Sequence, residues 1–280
     1  MKTIITIVAL VFITVLNAQN FTGKAIYKTS KKSDVKFGEG QEGITDKMRE
    51  EFQKRLQKMN QKTFILNFDK TTSIYKEEEM LEAPKTRVGS AGIKMISLGG
   101  SGSADIYYKN IKQKKFANKT EIMGKAFLVK DKLKEYDWEL SSETKNIGQY
   151  TCYKATHTKE VENKTISMVN GETKENITKE TVVTTAWYTT QVAISNGPAD
   201  YQGLPGLILE INDGKNMIVC TEIILNPEVA VTIEVPTKGK IVSLKKFTKI
   251  QKEKNDELME KMKSRKGIDL GNGINIKMGG

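Results

Sequence analysis

The stretch Leu207–Cys220 reads LILEI-NDGK-NMIVC, two aliphatic and β-branched runs on either side of an Asp-Gly pair. Asp-Gly suits the positive φ that a two-residue hairpin loop demands when its strands twist right-handedly. With Asp213-Gly214 at the turn, Asn212 faces Lys215, Leu209 faces Ile218 and Leu207 faces Cys220. Because the side-chain period of a strand is two, Leu207, Leu209, Ile218 and Cys220 then share one face, and Cys220 is expected to point into a core. Whatever else this chain forms, it must contain an antiparallel sheet.

More strands of the same kind are spread along the sequence. Thr22–Ser30 and Thr63–Tyr75 are rich in β-branched and aromatic residues, and short β-like runs follow from Ala104, at Lys125–Lys130, at Trp138–Glu143 and around Cys152. Val229–Val235 reads as a further strand before the turn at Pro236. Short strands separated by polar turns predict a large antiparallel sheet. Two segments have helical period instead. Met48, Phe52, Leu56 and Met59 form one stripe within Thr45–Lys62, and Phe247, Ile250, Leu258 and Met262 form another after an N-cap at Ser243, with Gly267 as the stop. The fold class expected is mainly β: a large, curved, half-barrel-like sheet with two amphipathic helices. Ala83–Ser103 reads as a loop, and its GGSG lacks the Lys-Ser/Thr pair of a phosphate loop.

The first 18 residues read as an export signal, with Lys2 ahead of an apolar run from Ile4 to Leu16 and Asn17-Ala18 before a cleavage site. The domain organisation expected is a signal at 1–18, one mainly-β domain over 19–266 and a flexible tail over 267–280. Export takes the mature chain out of the cytosol, to the periplasm, the cell envelope or the exterior, where Cys152 and Cys220 are expected to form one disulfide. Two buried free thiols are the alternative, since pairing needs a specific Cα and Cβ geometry.

With one His and two Cys in 280 residues, multi-histidine metal centres and zinc-finger arrays are excluded, and no cofactor motif is found. His157 falls on the opposite face of its strand from Cys152 and reads as exposed to solvent. No base stands near either Cys to activate it. The net charge of +11 is concentrated: residues 109–134 hold nine Lys, among them Lys109, Lys112, Lys114 and Lys115, and the C-terminal helix adds Lys252, Lys254 and Lys261. Few Arg and no basic-aromatic interleaving argue against nucleic acid, whereas an anionic membrane surface is a physically reasonable partner.

The densest constellation is Ser195–Ile211, SNGPADYQGLPGLILEI, in which Gly197, Pro198, Gly203, Pro205 and Gly206 specify a tight turn just before a buried strand. GLPGLI, that is Gly203, Leu204, Pro205, Gly206, Leu207 and Ile208, together with Trp187 and Tyr188 in the preceding AWYTTQVAI, resembles the GLPGLI family of secreted bacterial proteins of unassigned activity. The resemblance extends to TGKAIYK, NFDKTTSIY, ETKNIGQYTCYKA and SLKKFTKIQKEK. It departs at about Lys159–Lys179, a Lys/Glu/Thr-rich insertion that reads as a longer surface hairpin.

Curved sheets of this kind resemble periplasmic lipoprotein carriers. The function expected is therefore a non-catalytic, exported binding or envelope-associated protein for an apolar ligand, with Phe127, Leu128, Trp138 and Trp187 lining a concavity. The alternative is a structural module of an envelope complex, docking an envelope protein through the GLPGLI turn or the basic helix. An enzyme is the least favoured reading, and oligomeric state is not legible in the residues.

Overall fold

A computed structural model describes residues 21–31, 61–78, 105–169, 172–264 and 276–278. The expected export signal, the helix expected over Thr45–Lys62 (apart from Gln61 and from Lys62, which opens a strand) and the loop expected over Ala83–Ser103 lie outside these residues. The described strands are β1 (Thr22–Lys31), β2 (Lys62–Asp69), β3 (Thr72–Glu77), β4 (Ile106–Asn110), β5 (Lys115–Ile122), β6 (Lys125–Lys132), β7 (Glu139–Ile147), β8 (Tyr150–Val169), β9 (Glu172–Thr189), β10 (Leu207–Asn212), β11 (Asn216–Leu225), β12 (Lys240–Val242) and β13 (Ile276–Met278), with one helix, α1 (Leu244–Ser264).

They form one 13-stranded sheet in the order β12-β6-β5-β4-β3-β2-β1-β11-β10-β9-β8-β13, with β7 also paired to β8. The pairings are antiparallel except β12 with β6, which makes the sheet mixed. Mainly β architecture is thus as the residue pattern indicates, with a single helix among the described residues. The insertion after Cys152 does lengthen a hairpin, since β8 and β9 stay paired from Tyr153↔Tyr188 out to Val169↔Glu172. Part of the tail expected to be frayed is a strand, Ile276 pairing with Ile166.

The Asp-Gly hairpin forms, but one step further along than expected. Asn212 pairs with Met217 and Ile211 with Ile218, so Gly214-Lys215 occupies the two-residue turn, not Asp213-Gly214. Gly214 takes φ +85, and the Asp213 carboxylate accepts the amides of Lys215 (2.9 Å) and Asn216 (2.6 Å), which favours the later turn. Moving the turn by one changes each pairing by two, so every residue keeps its face. Leu207, Leu209 and Cys220 accordingly enter the main core with Ala25, Tyr27, Leu66, Phe68, Tyr75 and Cys152.

Ser243 caps α1 as expected, its hydroxyl accepting the amide of Lys246 at 3.3 Å, and Asp131 of β6 accepts the amide of Leu244 at 2.9 Å. Phe247 and Ile250 lay the helix's apolar stripe on Phe127 and Val129 of β6. Val229–Val235 is not a strand. β11 ends at Leu225 and β12 begins at Lys240, and seven strand steps separate them in the sheet. That is about 34 Å, and the intervening chain reaches about 46 Å when extended. The segment 226–239 must therefore cross the sheet nearly straight, as a strap lying over its face and unable to pair along it. Its ends are pinned: the amide of Asn226 donates to the Thr22 carbonyl (2.8 Å), and Gly239, at φ +119, lies so close to β6 that a Cβ would sit 2.6 Å from the Phe127 carbonyl carbon.

Candidate functional site

The sheet register determines which side chains the strap covers. Ile65 pairs with Lys76, Lys76 with Ile106 and Ile106 with Lys119, while Lys24 pairs with Asn67 and Asn67 with Ile74. These cross-strand rows present isoleucines interspersed with lysines and Asn67 on the face opposite Leu66 and Tyr75. Between them and the strap runs a groove of about 940 Å³, lined on the floor by Ile65, Ile74, Ile106 and Ile224 and on the roof by Val231 and Val235, with Val229, 83% exposed, at its edge. That volume falls within the range of small-molecule sites, roughly 300–1,000 Å³. Lys24, Lys76, Lys119 and Lys238 rim it with Glu228 and Glu234. The amide oxygen of Asn67, on the floor, is buried and meets no donor among the described residues.

These are not the residues expected to line a concavity. Phe127 packs edge-on against Phe247 under α1, at 5.7 Å between ring centroids. Leu128 is on the strap side of β6, level with Lys119, and is buried there without lining the groove. Trp138 donates its indole N–H to the Gln202 carbonyl at 2.9 Å, and the Lys145 ammonium stands 4.5 Å above the Trp187 ring. The isoleucine floor carries a signal that alternation alone does not use: Phe64-Ile65-Leu66 is apolar without a break, as in a strand buried on both faces.

The residues of the Gly/Pro turn serve the architecture. The amide of Leu207 donates to the Val192 carbonyl (3.0 Å) and that of Ile208 to Asn196 (2.9 Å), which folds the connection back onto the start of β10. Val192 and Ile194 then join the main core, while Leu204 joins Tyr188, Ala155, Ala186 and Ile208 in a second cluster. A Cβ on Gly197 would press on the Ile208 side chain, and one on Gly206 would land on the Thr189 carbonyl, so only glycine fits at Gly206. Pro198 offers its carbonyl to the Tyr201 amide at 3.1 Å. Gly203 takes φ +97, beside the Trp138 indole, and Pro205 is exposed.

Lys109 is the clearest correction to the basic patch. It is fully buried, donating to the carbonyls of Gly197 (2.7 Å) and Tyr201 (2.9 Å). Burial brings its pKa down to about 7, although the nearby Asp200 carboxylate favours the charged form. Lys112, Lys114 and Lys115 are exposed, as is Lys252, and Lys254 pairs with Glu257; the Lys261 side chain lies outside the described residues. Asp200 also accepts the Tyr136 hydroxyl at 2.7 Å, and burial followed by that carboxylate pushes the Tyr136 phenol up. Tyr136 stacks on Trp138 at 5.2 Å, and His157 packs edge-on to both, half-buried instead of exposed. This cluster staples the 133–138 linker onto the turn.

The expected disulfide is not formed: Cys152 and Cys220 are free and buried. Cys152 is on β8 and Cys220 on β11, with β9 and β10 between them. Three strand spacings come to about 14 Å along the sheet, whereas a disulfide needs Cα atoms within about 7 Å. Each thiol instead turns to a backbone carbonyl, Cys152 to Tyr150 and Cys220 to Glu222. Burial pushes the two thiols up, to about 11 and about 12.

No curated protein matches the sequence. Among solved structures the fold is similar to that of PNGF-II in the P21 space group, at 13% identity and a TM-score of 0.47 over 83% of this chain and 34% of that one. It is similar also to PNGF-II in the C2 space group, at 12% identity and a TM-score of 0.44 over 84% of this chain and 33% of that one. The chain therefore spans about a third of the length of those structures. A family model described as "Protein of unknown function (Porph_ging)" matches residues 138–210, from the Trp138 staple through the Gly/Pro turn into β10.

Proposed function

We propose that this protein is an exported, envelope-associated binding protein of the GLPGLI type that holds an elongated apolar ligand beneath the strap. The groove of about 940 Å³ between the isoleucine floor and the strap carries this reading. Apolar side chains on both floor and roof would remove a narrow hydrocarbon chain from water at roughly 25 cal/mol per Å² of apolar surface. The unpaired Asn67 oxygen would accept a hydroxyl or amide of the ligand. Docking through the GLPGLI turn is disfavoured, because Leu204, Leu207 and Ile208 are buried and have nothing to offer a partner.

The test is titration of the delipidated full chain with a fluorescent long-chain fatty acid, alongside Ile106→Trp, which narrows the groove from its floor. Saturable binding is expected in the parent chain, weakened at least about tenfold in the variant, or about 1.4 kcal/mol. A parent chain that does not bind, or a correctly folded Ile106→Trp that binds as well, would overturn the reading.

A further inference from the structure

Beside the groove, and sharing Val235 of the strap with it, lies a second hollow of about 500 Å³ lined by Lys115, Lys130, Lys132, Tyr108, Asn110 and Gln113. Lys115 stands directly opposite Lys132 across β5 and β6, and Ala117, two residues on, stands opposite Lys130. The three ammonium groups therefore project from one face within two strands. Like charges placed directly opposite one another destabilise a sheet. One acid lines the hollow with them, Asp131, but its carboxylate is engaged by the amides of Leu244 and Lys132, at 2.9 Å each, so three lysines face a single carboxylate among the described residues. Lys114, next in sequence, is paired with Glu135, but no ion pair is formed by Lys115, Lys130 or Lys132 among the described residues.

We propose that this lysine cluster receives the phosphate head group of an amphiphile whose hydrocarbon tail lies in the adjoining groove. The proposal rests on the apolar-ligand reading above and adds the charge class of the ligand. Three lysines on one face match a multiply charged phosphate, which lysine binds as a point charge without the fork geometry of arginine. Val235 of the strap lines both hollows, which places the isoleucine floor of the groove next to the lysine cluster.

Calorimetric titration of the full chain with a single-chain alkyl phosphate, the corresponding neutral alcohol and inorganic phosphate tests it, in the parent and in a Lys115→Gln, Lys130→Gln, Lys132→Gln variant. The alkyl phosphate is expected to bind at least about tenfold more tightly than the alcohol at low salt. The triple variant is expected to lose that preference while its affinity for the alcohol stays unchanged. Equal affinity for both ligands in the parent, or a preference that survives the substitutions, overturns the head-group site and leaves the groove standing. Inorganic phosphate binding as tightly as the alkyl phosphate would make the cluster a site for the free ion and overturn the lipid assignment. Binding of neither amphiphile overturns both proposals.

Discussion

The ammonium of Lys109 lies 2.7 Å from the carbonyl oxygen of Gly197, and through this contact β4 holds a turn 88 residues further along the chain. The same group takes the Tyr201 carbonyl at 2.9 Å, so one side chain bridges the two arms of the Gly/Pro turn. Ser73 of β3 adds a contact to Asn196 at 3.3 Å, beside that anchor. The turn that the sequence marks most strongly is thus tied down from strands that the sequence does not associate with it.

Lys109 makes stability depend on pH. In the unfolded chain a lysine titrates near about 10.4, whereas burial brings the folded value down to about 7. Between those values the unfolded chain holds more protons, so this lysine's contribution to stability rises as pH increases from 7 toward 10. Melting curves over that range should rise in the parent relative to Lys109→Met. Parallel pH profiles for the two proteins would refute the assignment.

Gly206→Ala should cost about 1–3 kcal/mol, since the added methyl meets the Thr189 backbone, which cannot move aside. Gly197→Ala should cost less, because the approach there, 2.8 Å to the Ile208 Cβ, is less close than that to the Thr189 carbonyl oxygen at Gly206. Denaturant unfolding measures both. The reverse ranking would show that the close approach at Gly206 is not what excludes a side chain.

Lys145 grips both carboxylate oxygens of Glu210 at 2.8 Å, and the two partners are unequally exposed, 35% for the lysine side chain and 10% for the glutamate. Removing the lysine strands a buried carboxylate, whereas removing the charge of Glu210 frees a lysine that can swing into water. Lys145→Met should therefore destabilise by on the order of 2 kcal/mol, and Glu210→Gln by under about 1 kcal/mol, allowing for screening at the exposed end. Equal losses in urea melts would argue that the pair is effectively solvated.

Cys152 and Cys220 should be silent toward a thiol reagent in the native protein and both titrate once it is unfolded without reductant. Burial holds their pKa values at about 11 and about 12, leaving little thiolate at neutral pH. Fewer than two thiols in the unfolded, unreduced chain would mean that a disulfide does form.

Local chemistry carried much of the fold. Strand alternation marks β1, β2, β8, β10 and β11, and Ser243 marks the start of α1, because period, turn residues and caps act over a few neighbours. The turn shifted by one residue without harm, since a pairing change of two preserves the face. In the sequence, Asn170-Gly171 is as good a hairpin signal as Asp213-Gly214.

What the sequence determined by itself is therefore a mainly-β chain with its apolar residues on defined faces, because side-chain period and turn propensity are local properties. What only the tertiary structure decided is where distant segments meet. A lysine reads as solvated until two remote carbonyls are found around it, and two cysteines read as a pair until two strands are found between them. The strap becomes a roof only because β12 joins β6, seven steps from β11, which forces the intervening chain across a sheet face whose isoleucines would otherwise stand in water. Sheet order depends on long-range pairing, and no window of neighbouring residues encodes it.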